Sequence, residues 1–337
     1  MKIDAVFGNL GLGAVPQMAR MAEQLGFDAV WSQETSHDPF LPHPLIAEHT
    51  NKLASGTSIA VAFSRSPMNL AYTAWDLAAQ SDGRFMLGLG TQVKAHIERR
   101  FGMPWPASPI AKMREMVLAI RAIWESWQNG TKLNYRGEIY RLGLMTPFFT
   151  PPPLHCQPPP ILIAGVNAGL AKCAGEVADG FLVHPFHTLS SLKAITLPAI
   201  AKGLEKSGRN KVEFEVSTTV FVAQTESEIE QVRQQVAFYA STPSYRSVLE
   251  QEGVATIADA LSGLARHGKW NEMAKLIPDS LLEQVCVMGN DPTDMAEKIV
   301  SRYEGIANRI ALYRPLGQES DIDFWQEFIR SFRVAAG

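Results

Sequence analysis

The feature that most constrains this chain is a repeated unit: a short apolar run of strand length followed by an amphipathic run of helical length. Between residues 3 and 88 the alternation gives four strands, expected at 3–7, 29–32, 58–63 and 85–88, and three helices between them, at about 15–24, 44–53 and 68–80. The punctuation agrees. Pro16 suits a first helical turn, Gly26 a helix stop, Ser66-Pro67 a capped start, and Ser81-Asp82-Gly83 a turn. Further strands are expected at 161–164, 181–183, 214–222 and 309–313, with helices at about 109–127, 170–174, 190–205, 227–239, 292–303 and 321–332.

Eight strands that are apolar along their length, instead of alternating, predict parallel strands buried on both faces. The main competitor is an open doubly wound sheet with a dinucleotide fingerprint after its first strand. Gly8-Asn9-Leu10-Gly11-Leu12-Gly13 does not have that order of glycines. The expected fold is therefore an α/β (β/α)8 TIM barrel spanning residues 1–337 as a single domain. Two stretches depart from the repeat and are expected as insertions, near 98–160 and 242–284. The first contains a hairpin at 133–140, turning at Arg136-Gly137, and the proline-rich crossing Pro147, Pro151-Pro152-Pro153 and Pro158-Pro159-Pro160.

With 31 Lys+Arg against 34 Asp+Glu the net charge is −3 and no long basic run exists, so no nucleic-acid partner is expected. Cys156, Cys173 and Cys286 form no Cys-x-x-Cys pair, and His37, His43 and His49 are spaced by six, which fits no helix-face ligand set. No metal site is expected. The acidic residue in Met1-Lys2-Ile3-Asp4-Ala5 and the absence of a long uncharged apolar run predict no leader, no membrane role and a cytoplasmic location.

In a barrel of this kind the chemistry lies at the C-terminal ends of the strands. After the second strand comes Ser32-Gln33-Glu34-Thr35-Ser36-His37-Asp38-Pro39, the densest polar run at any expected strand end. A carboxylate there suits a general base or a partner for a cofactor ring, whereas Asp38 before proline is also an ordinary turn. Gly90, Thr91 and Gln92 follow the fourth strand and combine close backbone approach with neutral hydrogen bonding. Gly165, Val166, Asn167, Ala168 and Gly169 join the fifth strand to a helix, where unpaired N–H groups favour an anion, although a plain turn capped by Asn167 has the same sequence. His184 and His187 border the same rim after the sixth strand.

The order of motifs resembles the bacterial luciferase-like superfamily. The resemblance is carried by Gly26-Phe27-Asp28-Ala29-Val30-Trp31, Gly56-Thr57-Ser58, Arg65-Ser66-Pro67, Asp82-Gly83-Arg84-Phe85-Met86-Leu87-Gly88-Leu89-Gly90 and Ala174-Gly175-Glu176-Val177-Ala178-Asp179-Gly180-Phe181. His37-Asp38-Pro39-Phe40-Leu41-Pro42 and Thr91-Gln92-Val93-Lys94-Ala95-His96-Ile97-Glu98 are most similar to the subgroup of oxidoreductases dependent on the deazaflavin coenzyme F420. The resemblance implies a cofactor across the barrel mouth, coenzyme F420 or alternatively FMN, with a non-proline cis peptide at Ser58-Ile59 against the ring and the phosphate at Gly165 through Gly169. It implies Glu34 as the acid facing the reactive part of the ring.

Where many relatives have an acid followed by histidine, this chain has Glu34-Thr35, so His37 is the imidazole available to substitute. Where luciferase relatives place a phosphate-binding arginine, this chain has Thr91, which favours a phosphate site built from backbone. The function implied is hydride transfer between coenzyme F420 and a small organic substrate. The alternatives are an FMN-dependent luciferase-like monooxygenase and a noncatalytic flavin-binding barrel. Relatives imply a homodimer, for which the apolar positions of the second and third helices are available. Trp105, Phe148 and Phe149 either line the substrate pocket or pack under the first insertion.

Overall fold

In the computed structural model, which describes residues 1–317 and 322–337, eight parallel strands close on themselves. They are β1 (Lys2–Val6), β2 (Ala29–Ser32), β3 (Ala54–Thr57), β4 (Phe85–Gly90), β5 (Ile161–Gly165), β6 (Gly180–Val183), β7 (Glu215–Ala223) and β8 (Arg309–Leu312). Each strand pairs with the next, and β8 pairs with β1 at Lys2↔Arg309, which closes the barrel. Among the described residues no helix is long and apolar enough to cross a membrane.

The punctuation works as the sequence suggests. Helix Val15–Leu25 has proline in its first turn and stops at Gly26, whose φ of 90° is left-handed. Helix Pro67–Ser81 starts at Ser66, whose side chain accepts the N–H of Asn69. The last helix is Ile322–Ala335, and position 321 of the expected 321–332 lies outside the described residues.

The expected third strand at 58–63 is displaced. The barrel strand is Ala54–Thr57, and only Ala60–Val61 of the expected run returns to pair with β4. Ala54-Ser55-Gly56-Thr57 contains no large apolar residue because a neighbour fills the space. A Cβ on Gly56 would lie 2.5 Å from Cζ3 of Trp31, so the β2 indole occupies the volume in front of β3.

Alternate residues of the strands point into the barrel, where Ala29, Trp31, Met86, Leu162 and Leu182 form a small apolar cluster. A buried ion pair adjoins it. Arg309 donates to Asp4 through Nε (2.7 Å) and a second guanidinium nitrogen (2.9 Å), and Trp31 Nε1 donates to the same carboxylate at 2.8 Å. Burial pushes the Asp4 carboxyl up, and Arg309, through its charge and hydrogen bonds, and the Trp31 N–H oppose that shift.

Between β4 and β5 the chain forms helix Pro109–Asn129 and a small hairpin, Tyr135–Arg136 with Arg141–Leu142, which turns at 137–140, slightly later than expected. The proline-rich crossing then runs over helix Pro67–Ser81: Tyr72 OH donates to Phe149 O at 2.5 Å and Trp75 Nε1 to Pro152 O at 3.1 Å. Leu70, Ala74, Trp75 and Leu77 of that helix are buried within the chain. Phe148 and Phe149 are exposed on the outer side, and Trp105 packs edge-on to Phe63.

Between β7 and β8, five helices from Glu226–Ala240 to Asp279–Val285 bury a core of their own, joined to the barrel at Phe186 and Phe221. An unexpected short strand, Cys286–Met288, pairs with the end of β7.

Removing one partner of a buried pair leaves the other charge uncompensated, at about 3–5 kcal/mol. Asp4→Asn is expected to lose that much in urea unfolding, and Asp4→Leu combined with Arg309→Met to lose less than Asp4→Asn alone. An Asp4→Asn variant as stable as the parent would remove the pair from its structural role.

Candidate active site

The ends of β2, β3 and β4 are tied together by polar contacts. Glu34 Oε2 accepts the backbone N–H of Val61 (2.6 Å) and a guanidinium N–H of Arg65 (2.6 Å), and Glu34 N–H donates to Ile59 O at 3.3 Å. The Glu34 side chain is only 6% exposed. Arg65 also reaches Asp38 at 3.1 Å and lies 5.3 Å over the Phe40 ring. The Ser58-Ile59 bond that this clamp encloses is cis. His37, in contrast, is exposed and has no hydrogen-bonding partner among the described residues. It does not meet Glu34.

Thr35 and Ser36 donate to Asn9 Oδ1 at 3.1 and 2.6 Å, and Arg100 donates to Thr35 O. The loops after β1, β2, β3 and β4 are thereby one connected rim. At the end of β4, a Cβ on Gly90 would lie 2.8 Å from two carbons of Ile59, so glycine is required by the approach of the cis segment. Gln92 has a left-handed φ of 58°, with its Oε1 accepting the Val93 N–H at 2.9 Å, while Thr91 Oγ1 donates to Gln92 O. These two side chains shape their own turn.

At the end of β5, Asn167 caps helix Ala168–Val177 by accepting the Leu170 N–H at 2.9 Å. The N–H groups of Ala168 and Gly169 have no preceding helical carbonyl to bond and open the positive end of the helix dipole. The two glycines of this loop are needed for packing. A Cβ on Gly165 would lie 2.7 Å from Leu170, and one on Gly169 would lie 2.4 Å from Ile110 of the long helix. Bulky substitutions there would disturb the fold as well as any ligand.

The β6–β8 side is aromatic. His184 follows Leu182 on the inward face of β6, and its ring lies 4.5 Å from Tyr239 and 4.6 Å from Tyr245. Tyr239 OH and Tyr313 OH are 3.1 Å apart, and Tyr313 packs 4.5 Å from Phe221. His184 Nδ1 accepts the Phe186 N–H at 3.1 Å, which leaves the ring proton on Nε2, and burial first, with His187 next, pushes its pKa down to about 3. His187 is buried between His184 O (2.8 Å) and Tyr303 OH (2.9 Å), and burial takes it down to about 4. His43 bridges Ser32 and Ser55 in the core and is pushed by burial down to about 3.

Tyr239, Tyr245 and Tyr313 belong to this site without having been marked by the sequence, and Arg65, quoted there only within the Arg65-Ser66-Pro67 motif, was not expected in it. Arg65 stands 31 residues from the carboxylate it pairs with, and both Tyr239 and Tyr245 come from the region after β7, away from any strand end.

Comparisons with known proteins agree with this architecture. A family model described as luciferase-like monooxygenase matches residues 8–309. An uncharacterized protein of Mycobacterium tuberculosis is 45% identical over 333 residues, covering 94% of this chain and 97% of that one. The F420-dependent glucose-6-phosphate dehydrogenase of Kineococcus radiotolerans is 26% identical over 323 residues, covering 91% and 88%. Among solved structures, the coenzyme F420 dependent tetrahydromethanopterin reductase from Methanopyrus kandleri superposes with a TM-score of 0.81 at 22% identity, covering 98% of this chain and 99% of that one, a likeness of fold.

His43 and His187 are neutral when folded and titrate near 6.5 when unfolded. Below that pH the unfolded chain takes up protons that the folded chain refuses, so stability is present above about pH 6.5 and is lost as the pH falls towards 4. The slope is up to about 1.4 kcal/mol per pH unit per histidine. Urea midpoints measured from pH 7 to 5 are expected to fall; a flat profile would mean that these imidazoles are not held neutral.

Proposed function

Since the chain belongs to the luciferase-like monooxygenase family, and is an oxidoreductase of that family, we propose that it transfers a hydride between coenzyme F420 and a small organic substrate. The observation that carries this reading is the donor set beside the cis segment. Small residues end β4 and β5 at Gly90, Thr91, Ala164 and Gly165, and the anion-favouring groups at Ala168 and Gly169 are backbone N–H, with no lysine or arginine in residues 165–169. Such a set fits a flat ring bearing a phosphate. The 26% identity to an F420-dependent dehydrogenase across 91% of the chain supports the deazaflavin over FMN.

The deazaflavin ring supplies the hydride-transferring carbon, and the protein supplies binding and orientation. Ser58 and Ile59 bear on the ring, held by the Glu34 clamp. Gly90, Thr91 and Gln92 shape the adjoining turn, Gly165, Val166 and Asn167 set the start of the helix, and Ala168 and Gly169 donate to the phosphate. Neutral His184 borders the opposite side, among tyrosines. Glu34 Oε2 is engaged by Val61 and Arg65, and Oε1 has no partner among the described residues. Oε1 is therefore the atom proposed to hold or release the proton that accompanies hydride transfer.

Titration with oxidised coenzyme F420 and with FMN, followed by fluorescence, tests the cofactor; tighter binding of FMN would overturn the deazaflavin reading in favour of the monooxygenase. Ala168→Asp tests the phosphate position without burdening the fold, because an acid in the first helical turn is favourable to the helix. Its thermal midpoint is expected to hold or rise, while affinity for the phosphate-bearing cofactor falls about tenfold or more. Unchanged affinity would move the phosphate elsewhere. Glu34→Gln is expected to lower turnover by roughly 10²–10⁴. Because it also removes the ion pair to Arg65, some loss of cofactor affinity accompanies it. Abolished turnover in His37→Ala together with an active Glu34→Gln would transfer the proton role to His37.

A further inference from the structure

We propose that the cleft between the hairpin of Tyr135–Arg136 with Arg141–Leu142 and helix Pro109–Asn129 binds a chain of carboxylates that the cofactor carries beyond its phosphate. The inference rests on the deazaflavin reading above, since coenzyme F420 continues past its phosphate into an oligoglutamate chain. The cleft has a volume of about 460 Å³ and is lined by Arg114, Glu115, Tyr135, Arg136, Glu138 and Arg141 among others.

The hairpin is held in place by Glu115, which accepts the N–H groups of Glu138 (3.0 Å), Ile139 (2.9 Å) and Tyr140 (3.1 Å). These three bonds commit the Glu115 carboxylate to the backbone of the turn. A Cβ on Gly137 would lie 2.1 Å from Glu115 Oε2, so the turn closes over that carboxylate only with glycine. Held in this way, the hairpin sets Arg136 directly opposite Arg141. Like charges opposite each other on paired strands repel, which destabilises a hairpin unless an anion lies between them. Among the described residues neither arginine pairs with a carboxylate: Arg136 donates from Nε to Asn134 Oδ1 at 3.0 Å, and the exposed Arg141 has no hydrogen-bonding partner. Arg114 is fixed by Glu176, with Nε at 2.8 Å and a second nitrogen at 2.6 Å. Glu138 is the lining acid that opposes an incoming anion, and it is exposed.

The cleft and the proposed phosphate position adjoin the same helix, Pro109–Asn129. Ile110 packs against Gly169 of the phosphate loop, and Ala111 and Arg114 of the cleft follow on the same helix, about 6 Å along its axis at Arg114. A chain leaving the N–H groups of Ala168 and Gly169 on this side meets the paired arginines.

The test uses two compounds, coenzyme F420 with several glutamates and the same deazaflavin phosphate without them, against the parent chain and Arg136→Gln/Arg141→Gln. The parent is expected to bind the glutamate-bearing form about three- to tenfold more tightly at low ionic strength. The double variant is expected to bind the two forms equally, with unchanged affinity for the glutamate-free form and a thermal midpoint that holds or rises as the repulsion is removed. About 0.5 M salt is expected to erase the preference in the parent. Equal binding of the two forms by the parent, or a preference that survives the double substitution, overturns the proposal while leaving the deazaflavin reading intact. Failure of the parent to bind either form overturns both.

Discussion

The carboxylate of Asp4 is the point on which the barrel interior turns. It stands on β1, takes two bonds from Arg309 on β8 and one from Trp31 on β2, and so joins the first and last strands of a chain whose closure depends on their pairing. A charge buried in this way is costly unless its partners are in place. The consequences spread from there. Trp31, held at its Nε1, lays its ring in front of β3, and β3 has glycine at position 56 because nothing larger fits. The barrel interior thus holds the Asp4–Arg309 pair and, packed together beside it, Trp31, Ala29, Met86, Leu162 and Leu182.

The mouth divides into two halves of different chemistry. From β1 to β4 the loops are cross-linked by Asn9, Glu34, Asp38, Arg65 and Arg100, which fixes the cis segment between carboxylate and glycine. From β6 to β8 the ends carry His184, Phe221 and Tyr313, covered by Tyr239 and Tyr245. The β5 loop separates the halves and opens a helix N-terminus. Glu34 organises this rim through Oε2, which takes bonds from Val61 and from Arg65, 27 and 31 residues further along the chain. The segments after β4 and β7 add, respectively, a hairpin with Arg136 opposite Arg141 and the aromatic cover.

Most barrel strands lie close to their expected positions because each is a local apolar run bounded by Gly, Pro, Ser or Asp. The third strand was misplaced for a reason that is not local. Residues 54–57 have no β-forming side chains, since their packing volume comes from Trp31 of the neighbouring strand, whereas residues 58–63 have the apolar run. On the third helix, Trp75 is covered by the proline-rich segment about 75 residues further along, a contact that no local pattern marks. In the site, the capped loop at Asn167 was legible from its residue types. The Glu34–Arg65 pair was not, because its two members have no spacing that marks them as neighbours.

By itself the sequence determined the fold class, the strand ends that form the mouth, and the order of motifs that marks the luciferase-like family, because periodicity, helix caps and turn residues act over a few positions and need no partner. Tertiary structure alone decided what the polar side chains do. Glu34 is bound to Arg65, His37 is left exposed, His43 is neutral in the core, and Arg136 is set against Arg141. A charge or hydrogen-bonding group acquires its role from whatever group the closed barrel brings within about 3 Å, and that distance is fixed by packing between strands and helices far apart in the chain.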